Sequence, residues 1–217
     1  MQGILAELQD FIYLLPAIVI SLTVHEFSHA YVAHRLGDPT PKEDGRLSLN
    51  PLHHIDPMGF IVMLFVRFGW AKPVRINPLY FQNPRKGMLY TAIAGPISNL
   101  CLAVLSSLVL FLGIQWKAPF VFVRLFIYMV LLNVGLAVFN LIPVYPFDGS
   151  RVVSYFSPRY ASFMASNADT VQLIFMAVLI LPRFLPIPDL VGTMIGNVQS
   201  GLMQLLMWLW STVFWFL

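Results

Sequence analysis

The chain has 217 residues, of which 58% are hydrophobic and 11% charged. An average soluble domain carries about a quarter charged residues, so water is not this chain's main solvent. The net charge of +3 raises nucleic acid as a partner, but the basic residues form no dense cluster mixed with exposed aromatics, which excludes that class and leaves the lipid bilayer.

Apolar stretches recur at about 11–33, 88–114, 119–141, 169–182 and 190–217. Several reach the roughly 20 residues that a spanning helix needs. The expectation is an all-α integral membrane protein, a polytopic helical bundle of four to six membrane segments. It forms one domain over 1–217, with its core at about 11–160 and C-terminal helices at about 169–217. The first stretch reads as a membrane segment in preference to a signal peptide, because Glu7 and Asp10 stand where a basic region belongs and no small-residue cleavage site is evident. Cys101 is the single cysteine, so neither an intrachain disulfide nor a cysteine-built zinc knuckle is available.

The first stretch holds His25-Glu26-Phe27-Ser28-His29, an H-E-x-x-H pattern in a run that favours helix. Residues four apart share a helix face. Two imidazoles so placed can hold one Zn²⁺, with Glu26 beside the metal to take a proton from water. A carboxylate in an apolar segment costs on the order of 3 kcal/mol on insertion scales, which marks Glu26 as functional. The competing reading is a pair of buried histidines satisfied by backbone carbonyls or Ser28, with Glu26 pairing one of them.

Residues 37–57 are rich in Gly, Pro, Asp and Asn and predict turns with a short hairpin. Eight of the thirteen Lys and Arg residues fall between 34 and 87, and Arg67–Gly87 holds five with no acid, which points to the cytoplasm. Between them Met58–Phe68 is apolar but too short to span, and reads as a re-entrant or interfacial segment. Residues 88–114 and 119–141 form a helical hairpin. If 58–68 does not cross, the hairpin brings Asp148 back to the end of the membrane where His25 and His29 lie. Tyr31, Trp70, Trp116, Trp208, Trp210 and Trp215 read as interfacial aromatic belts.

A catalytic zinc site takes three protein ligands and leaves one position for water. Asp148 is the strong candidate for the third, in Asn140-Leu141-Ile142-Pro143-Val144-Tyr145-Pro146-Phe147-Asp148-Gly149. Pro143 and Pro146 end the preceding helix and free backbone carbonyls, which at membrane depth is tolerated only inside protein or beside a water-filled cavity. The alternative is a loop at the membrane edge with Asp148 as a helix N-cap.

These motifs resemble the site-2 protease family of intramembrane zinc metalloproteases. The family pairs an H-E-x-x-H helix with a later N-x-x-P-x-x-P-x-D-G segment. Asn140–Gly149 matches the second at each fixed position, Gly95-Pro96-Ile97-Ser98-Asn99 resembles the family's G-P-x-x-N helix, and Asn50–Pro57 resembles the loop of its compact prokaryotic members. The resemblance covers about residues 11–160, and no PDZ or CBS domain is legible. It implies one Zn²⁺ on His25, His29 and Asp148, with Glu26 as the catalytic base.

It also implies secondary roles. Asn140 would hydrogen-bond the substrate backbone or the oxyanion, and Asn99 would line the cavity or simply pack helices. His54 would aid the oxyanion, cap the site or serve as a turn residue. Substrates would be membrane proteins with transmembrane segments, partly unwound and held extended against an edge in residues 45–55. The location would be the plasma membrane of a prokaryote, with the site toward the cytoplasm. The alternative function is a catalytically silent membrane scaffold or chaperone; neither the further histidines of a lipid desaturase nor the inverted repeat of a transporter is present.

Overall fold

In a computed structural model the chain is a helical bundle, described for residues 2–66 and 71–216. Arg67 and Trp70, with the end of the 58–68 piece, lie outside the described residues. The helices are α1 (Gln2–Arg35), α2 (Thr40–Glu43), α3 (Pro57–Val66), α4 (Pro84–Gln115), α5 (Phe120–Asn140), α6 (Asp148–Phe156), α7 (Pro158–Ile180) and α8 (Leu190–Val213). Four segments are long and apolar enough to cross a membrane: Ile12–Arg35 of α1, α4, α5, and Pro158–Arg183, which is α7 with the turn after it. The chain is an integral membrane protein. α8 is long enough but less apolar, since Asn197, Gln199 and Gln204 interrupt it.

Helix limits follow local chemistry. Asn83 accepts from the backbone of Lys86 and precedes Pro84, which needs no N–H partner in the first turn. Ser157 does the same for Tyr160 ahead of Pro158. Asp189 caps α8 through Gly192. The α4–α5 turn closes through Lys117, whose φ of 54° lies in the left-handed region.

Three polar contacts set the direction of the core helices. His25 meets Asn99 and His29 meets the carbonyl of Thr91, so α1 and α4 run antiparallel. Asn133 of α5 reaches Ser21 of α1, and α5 returns beside α1 in the same sense. The C-terminal ends of α1 and α5 and the N-terminal end of α4 therefore share one end of the bundle. α8 attaches from outside, where Gln199 donates to the Leu131 carbonyl and Trp210 to Ser107.

The chain between α1 and α4 also stays at that end. α3 has ten residues, about 15 Å of helix, half the thickness of a hydrocarbon core. Ile55 and Ala71, on either side of it, form an antiparallel bridge, and the Lys72 amide donates to the His54 carbonyl at 2.8 Å. Both ends of the α3 loop are thus tied together, as a non-crossing segment requires. The hairpin expected within 37–57 is not formed there; the pairing spans α3 instead, and a 3₁₀ turn occupies Pro51–His53.

Candidate metal centre

The α1–α4 antiparallel pair brings His25 and His29 against α4 at Gly95, between Thr91 and Asn99. A β-carbon there would lie 2.4 Å from His29 Nε2 and 2.5 Å from His25 Cε1. Contacts that close are not tolerated, so the glycine lets the helix backbone close over both imidazoles. On the far side Gly149 lets α6 start tight against the chain leaving α5, since a β-carbon would lie 2.2 Å from the Leu141 carbonyl oxygen. That contact delivers Asp148, the first residue of α6.

The three side chains converge. His25 Nε2 and His29 Nε2 stand 3.0 Å apart, and Asp148 Oδ2 lies 3.3 Å from the first and 3.2 Å from the second. All three residues are buried, at 4%, 6% and 8% exposure.

Which ring nitrogens carry protons follows from their partners. His29 Nδ1 faces the Thr91 carbonyl at 2.7 Å, an acceptor only, so Nδ1 is the N–H. His25 Nδ1 faces Asn99 Oδ1 at 2.6 Å. That amide cannot be reversed, because its Nδ2 donates to Asn133 Oδ1 at 2.7 Å and to the Ser21 carbonyl. Asn133 is locked in turn, donating to the Met129 carbonyl and Ser21 Oγ. With both Nδ1 atoms turned outward to their own partners, the two Nε2 atoms are the ring atoms left to face each other. Asp148 Oδ2 joins them with no hydrogen-bond donor of its own.

Two ring nitrogens and a carboxylate oxygen this close need positive charge among them, which a proton or a metal ion supplies. Ligand atoms held at about 2.0–2.2 Å around a tetrahedral centre stand about 3.3–3.5 Å apart, and the separations here are close to that edge. Each imidazole also has the outer partner on Nδ1 that metal-bound histidines use to fix ring and tautomer. The donor set of two nitrogens and one oxygen suits a divalent ion of zinc type.

A polar cavity of about 120 Å³ adjoins the cluster, lined among others by Glu26, Asn140 and Arg151. Glu26 has no hydrogen-bond or ion-pair partner among the described residues, so the pairing with histidine that a purely structural role would need is not formed. The capping alternative for Asp148 also fails, since Phe147 is the N-cap of α6 and no side chain caps that end. Asn140 faces the cavity with its Nδ2 already donating to the Leu136 carbonyl, which leaves Oδ1 as an acceptor.

His54 and Asn99 are placed differently. His54 is fully buried in the loop and its Nε2 donates to the Ser48 carbonyl at 2.6 Å. Burial lowers its pKa, which favours the neutral ring with Nδ1 as a bare acceptor. With its one N–H spent, His54 fits the turn-residue alternative. Asn99 lines no part of the cavity and acts on His25 instead.

Three features escape a reading of sequence alone. Asn133 is a lone amide in an apolar helix, and that oddity was the available signal. Arg151 lies one turn after Asp148 on α6. The extended chain 72–76 roofs the cavity through Pro73, Val74 and Ile76. Buried Arg46 holds that roof through the carbonyls of His53, Lys72 and Pro73, and buried Asp38 accepts from the Asn77 amide. The Arg75–Asp44 ion pair adds an outer tie; its hydrogen bond from Arg75 holds the Asp44 carboxyl below the usual carboxylate range.

Comparison with known proteins gives the family. The family model for peptidase family M50 matches residues 114–182. A Bacillus subtilis protein named "Putative zinc metalloprotease YwhC" is 39% identical over 173 residues, covering 77% of this chain and 79% of the relative. The chain belongs to peptidase family M50. As a member of that family, the site-2 protease family, it is a metalloprotease. "Putative zinc metalloprotease Rip2" of Mycolicibacterium smegmatis is 31% identical over 79% of this chain and 68% of its own length. Its namesake in Mycobacterium tuberculosis H37Rv is 28% identical over 87% of this chain and 72% of its own. No solved structure matches the chain.

Proposed function

We propose that this M50 member is an intramembrane zinc protease that cleaves transmembrane segments of membrane proteins, with His25, His29 and Asp148 holding one Zn²⁺ and Glu26 as the base. The observation that carries the reading is the convergence of two imidazole Nε2 atoms and a carboxylate oxygen at 3.0–3.3 Å. Zinc at such a centre lowers the pKa of a bound water toward neutrality and polarises a carbonyl.

The protein's own groups do the rest. Glu26, unpaired and facing the cavity, takes the proton of the attacking water and passes it to the leaving amine. Asn140 Oδ1 accepts a backbone N–H of the substrate and steadies the unwound chain. The roof at 74–76 offers more of the same: the amides of Val74, Arg75 and Ile76 have no hydrogen-bond partner among the described residues. A substrate strand laid against them would keep its scissile carbonyl out of helical hydrogen bonds. The free amides support a holding edge at 74–76 in preference to 45–55.

The site end of the bundle carries Lys72, Arg75, Arg85 and Lys86, so the positive-inside tendency turns it to the cytoplasm of a prokaryotic cell. The whole chain then works as one membrane-embedded unit. The free Glu26 favours an active protease over a silent scaffold.

The test is co-expression with candidate membrane substrates, comparing the wild type with Glu26→Gln. Loss of cleavage by about 10²–10⁴-fold with zinc retained is expected. Equal cleavage by both would remove Glu26 as the base, and no cleavage by either across a broad substrate panel would favour the scaffold.

A further inference from the structure

Beside the metal cavity runs a groove of about 420 Å³, walled by Pro84, Arg85 and Met88 of α4 and Ser154 and Tyr155 of α6. Arg151 lines both spaces and is their shared wall. We propose that Arg151, with Arg85, forms a subsite that recognises a carboxylate side chain of the substrate polypeptide a few residues from the bond to be cleaved. The proposal rests on the protease reading above and names a specificity element within it.

Arg151 is half-buried, and its guanidinium makes no hydrogen bond or ion pair among the described residues. A guanidinium has five N–H donors in a rigid fork, and one left unpaired beside a reaction cavity is primed for an anion. Arg85 is held in place: its Nη2 donates to the Tyr155 carbonyl at 2.9 Å and its charge lies 5.8 Å from the centre of the Tyr155 ring. Its remaining donors stay available. No acidic residue lines the groove, and the two carboxylates of the metal cavity, Glu26 and Asp148, already have roles.

The groove wall is otherwise mainly apolar, so its occupant combines an apolar chain with a single negative charge. The shared wall at Arg151 puts the groove next to the metal cavity, which favours the substrate polypeptide over an anionic lipid, because a chain lying across the zinc site continues over the adjoining surface. The spacing also fits. Arg151 is three residues beyond Asp148, a rise of about 4.5 Å along α6, and an extended chain advances about 3.3 Å per residue, with the Arg and the Asp or Glu side chains adding their own length. The recognised Asp or Glu therefore lies within about four residues of the scissile bond. A carboxylate on a guanidinium makes paired, charge-assisted bonds that Lys would not reproduce with the same geometry.

The full-length Glu26→Gln chain, in nanodiscs of zwitterionic phosphatidylcholine, is titrated with dye-labelled apolar peptides that differ only in Asp, Asn or Lys at each of four positions on either side of the centre. One Asp position is expected to bind about tenfold tighter than its Asn counterpart. Arg151→Gln and Arg85→Gln should each shrink that preference, and Arg151→Glu should reverse it toward Lys. With the wild-type base, Arg151→Gln should raise KM on the Asp peptide far more than on the Asn peptide.

Equal binding of Asp and Asn peptides at every position, or no binding of any peptide, overturns the proposal. So does an Asp preference that survives both arginine variants. An equal fall in kcat on both peptides would assign Arg151 to the oxyanion instead. A parallel titration with phosphatidylglycerol in the discs addresses the lipid: loss of bound phosphatidylglycerol in the variants, with peptide preference intact, would make the groove a lipid site. The binding arm needs no turnover, so an Asp preference without hydrolysis sinks the protease reading alone, and hydrolysis without the preference sinks this one alone.

Discussion

The inner helices and the outer ones obey different rules. In α4, 39% of the most apolar window is buried; in the span formed by α7 it is 0%. The inner trio α1, α4 and α5 holds Ser21, His25, His29, Asn99 and Asn133, all buried and polar. α7 packs mainly on its neighbour α6, and it reaches α5 and the α5–α6 loop through Tyr160 on the Pro143 carbonyl and Phe175 against Phe139 and Phe147. In lipid, apolar surface alone gives helices little reason to associate, so polar contacts and small residues concentrate where geometry must be exact. The trio is a machined site, and α7 is a lipid-facing wall.

The sharpest way to break this contrast is a pair of glycine substitutions. Gly95→Ala drives a β-carbon into both imidazoles, whereas a β-carbon at Gly201 of α8 meets nothing within 4 Å. The first should weaken zinc binding by at least about 10-fold to 100-fold and cost about 1–3 kcal/mol of stability. The second should leave both unchanged or slightly improve stability. Zinc titration and thermal unfolding decide it, and identical behaviour of the two variants would contradict the packing account.

A paired amide experiment comes next. Asn133→Leu removes the group that orients Asn99 and, through it, His25, and should weaken zinc by about tenfold or more. Asn167→Leu on α7 removes only a bond to the Phe163 carbonyl of its own helix and should change little. Equal zinc affinities in the two variants would remove the relay through Ser21 and Asn133 from the account.

Chelation sharpens the same division. Without its cation the donor cluster repels itself, so hydrogen exchange should rise around residues 21–29 and 91–99 and stay flat in α7 and α8. A uniform rise would mean that the metal stabilises the whole bundle and not the trio.

The smallest expected effect is in the loop. The pKa of His54 is lowered by burial, so its contribution to stability is present above the ordinary histidine range and fades as pH falls through that range toward the folded value. The amide of Lys72, bonded to the His54 carbonyl, should lose exchange protection as the pH is taken from 7 to below 6. Protection that is flat across that interval would show that the ring charges without disturbing the loop.

Much of the inner site was legible because its chemistry repeats along the chain. Four-residue spacing puts His25 and His29 on one face, and Asp148 follows a proline-broken helix end in a motif that resembles the family's. The length of α3 and the need to bring Asp148 to the histidines argued against a crossing there. The Ile55–Ala71 bridge that ties the loop leaves no mark in the sequence, since one bridge has no alternation.

Other parts were hidden for a related reason. Asn99 is equally compatible with cavity lining and helix packing in sequence, and only the Asn133–Ser21 relay shows that it orients the His25 ring. His54 resembled a helper until its single N–H was found on Ser48. Arg151 gains meaning from a shared wall between two cavities, a property of three dimensions alone. The span of α7 begins earlier than the apolar run at 169–182 because Pro158 and Ser157 start the helix in a polar segment.

Zinc content per chain in the wild type and in Asp148→Ala tests the central claim most directly. One tightly held zinc in the wild type and its loss in the variant, with the variant still folded as a helical bundle, is the predicted result. Unchanged zinc in folded Asp148→Ala would contradict it, for the ion would then rest on donors other than the three that converge here.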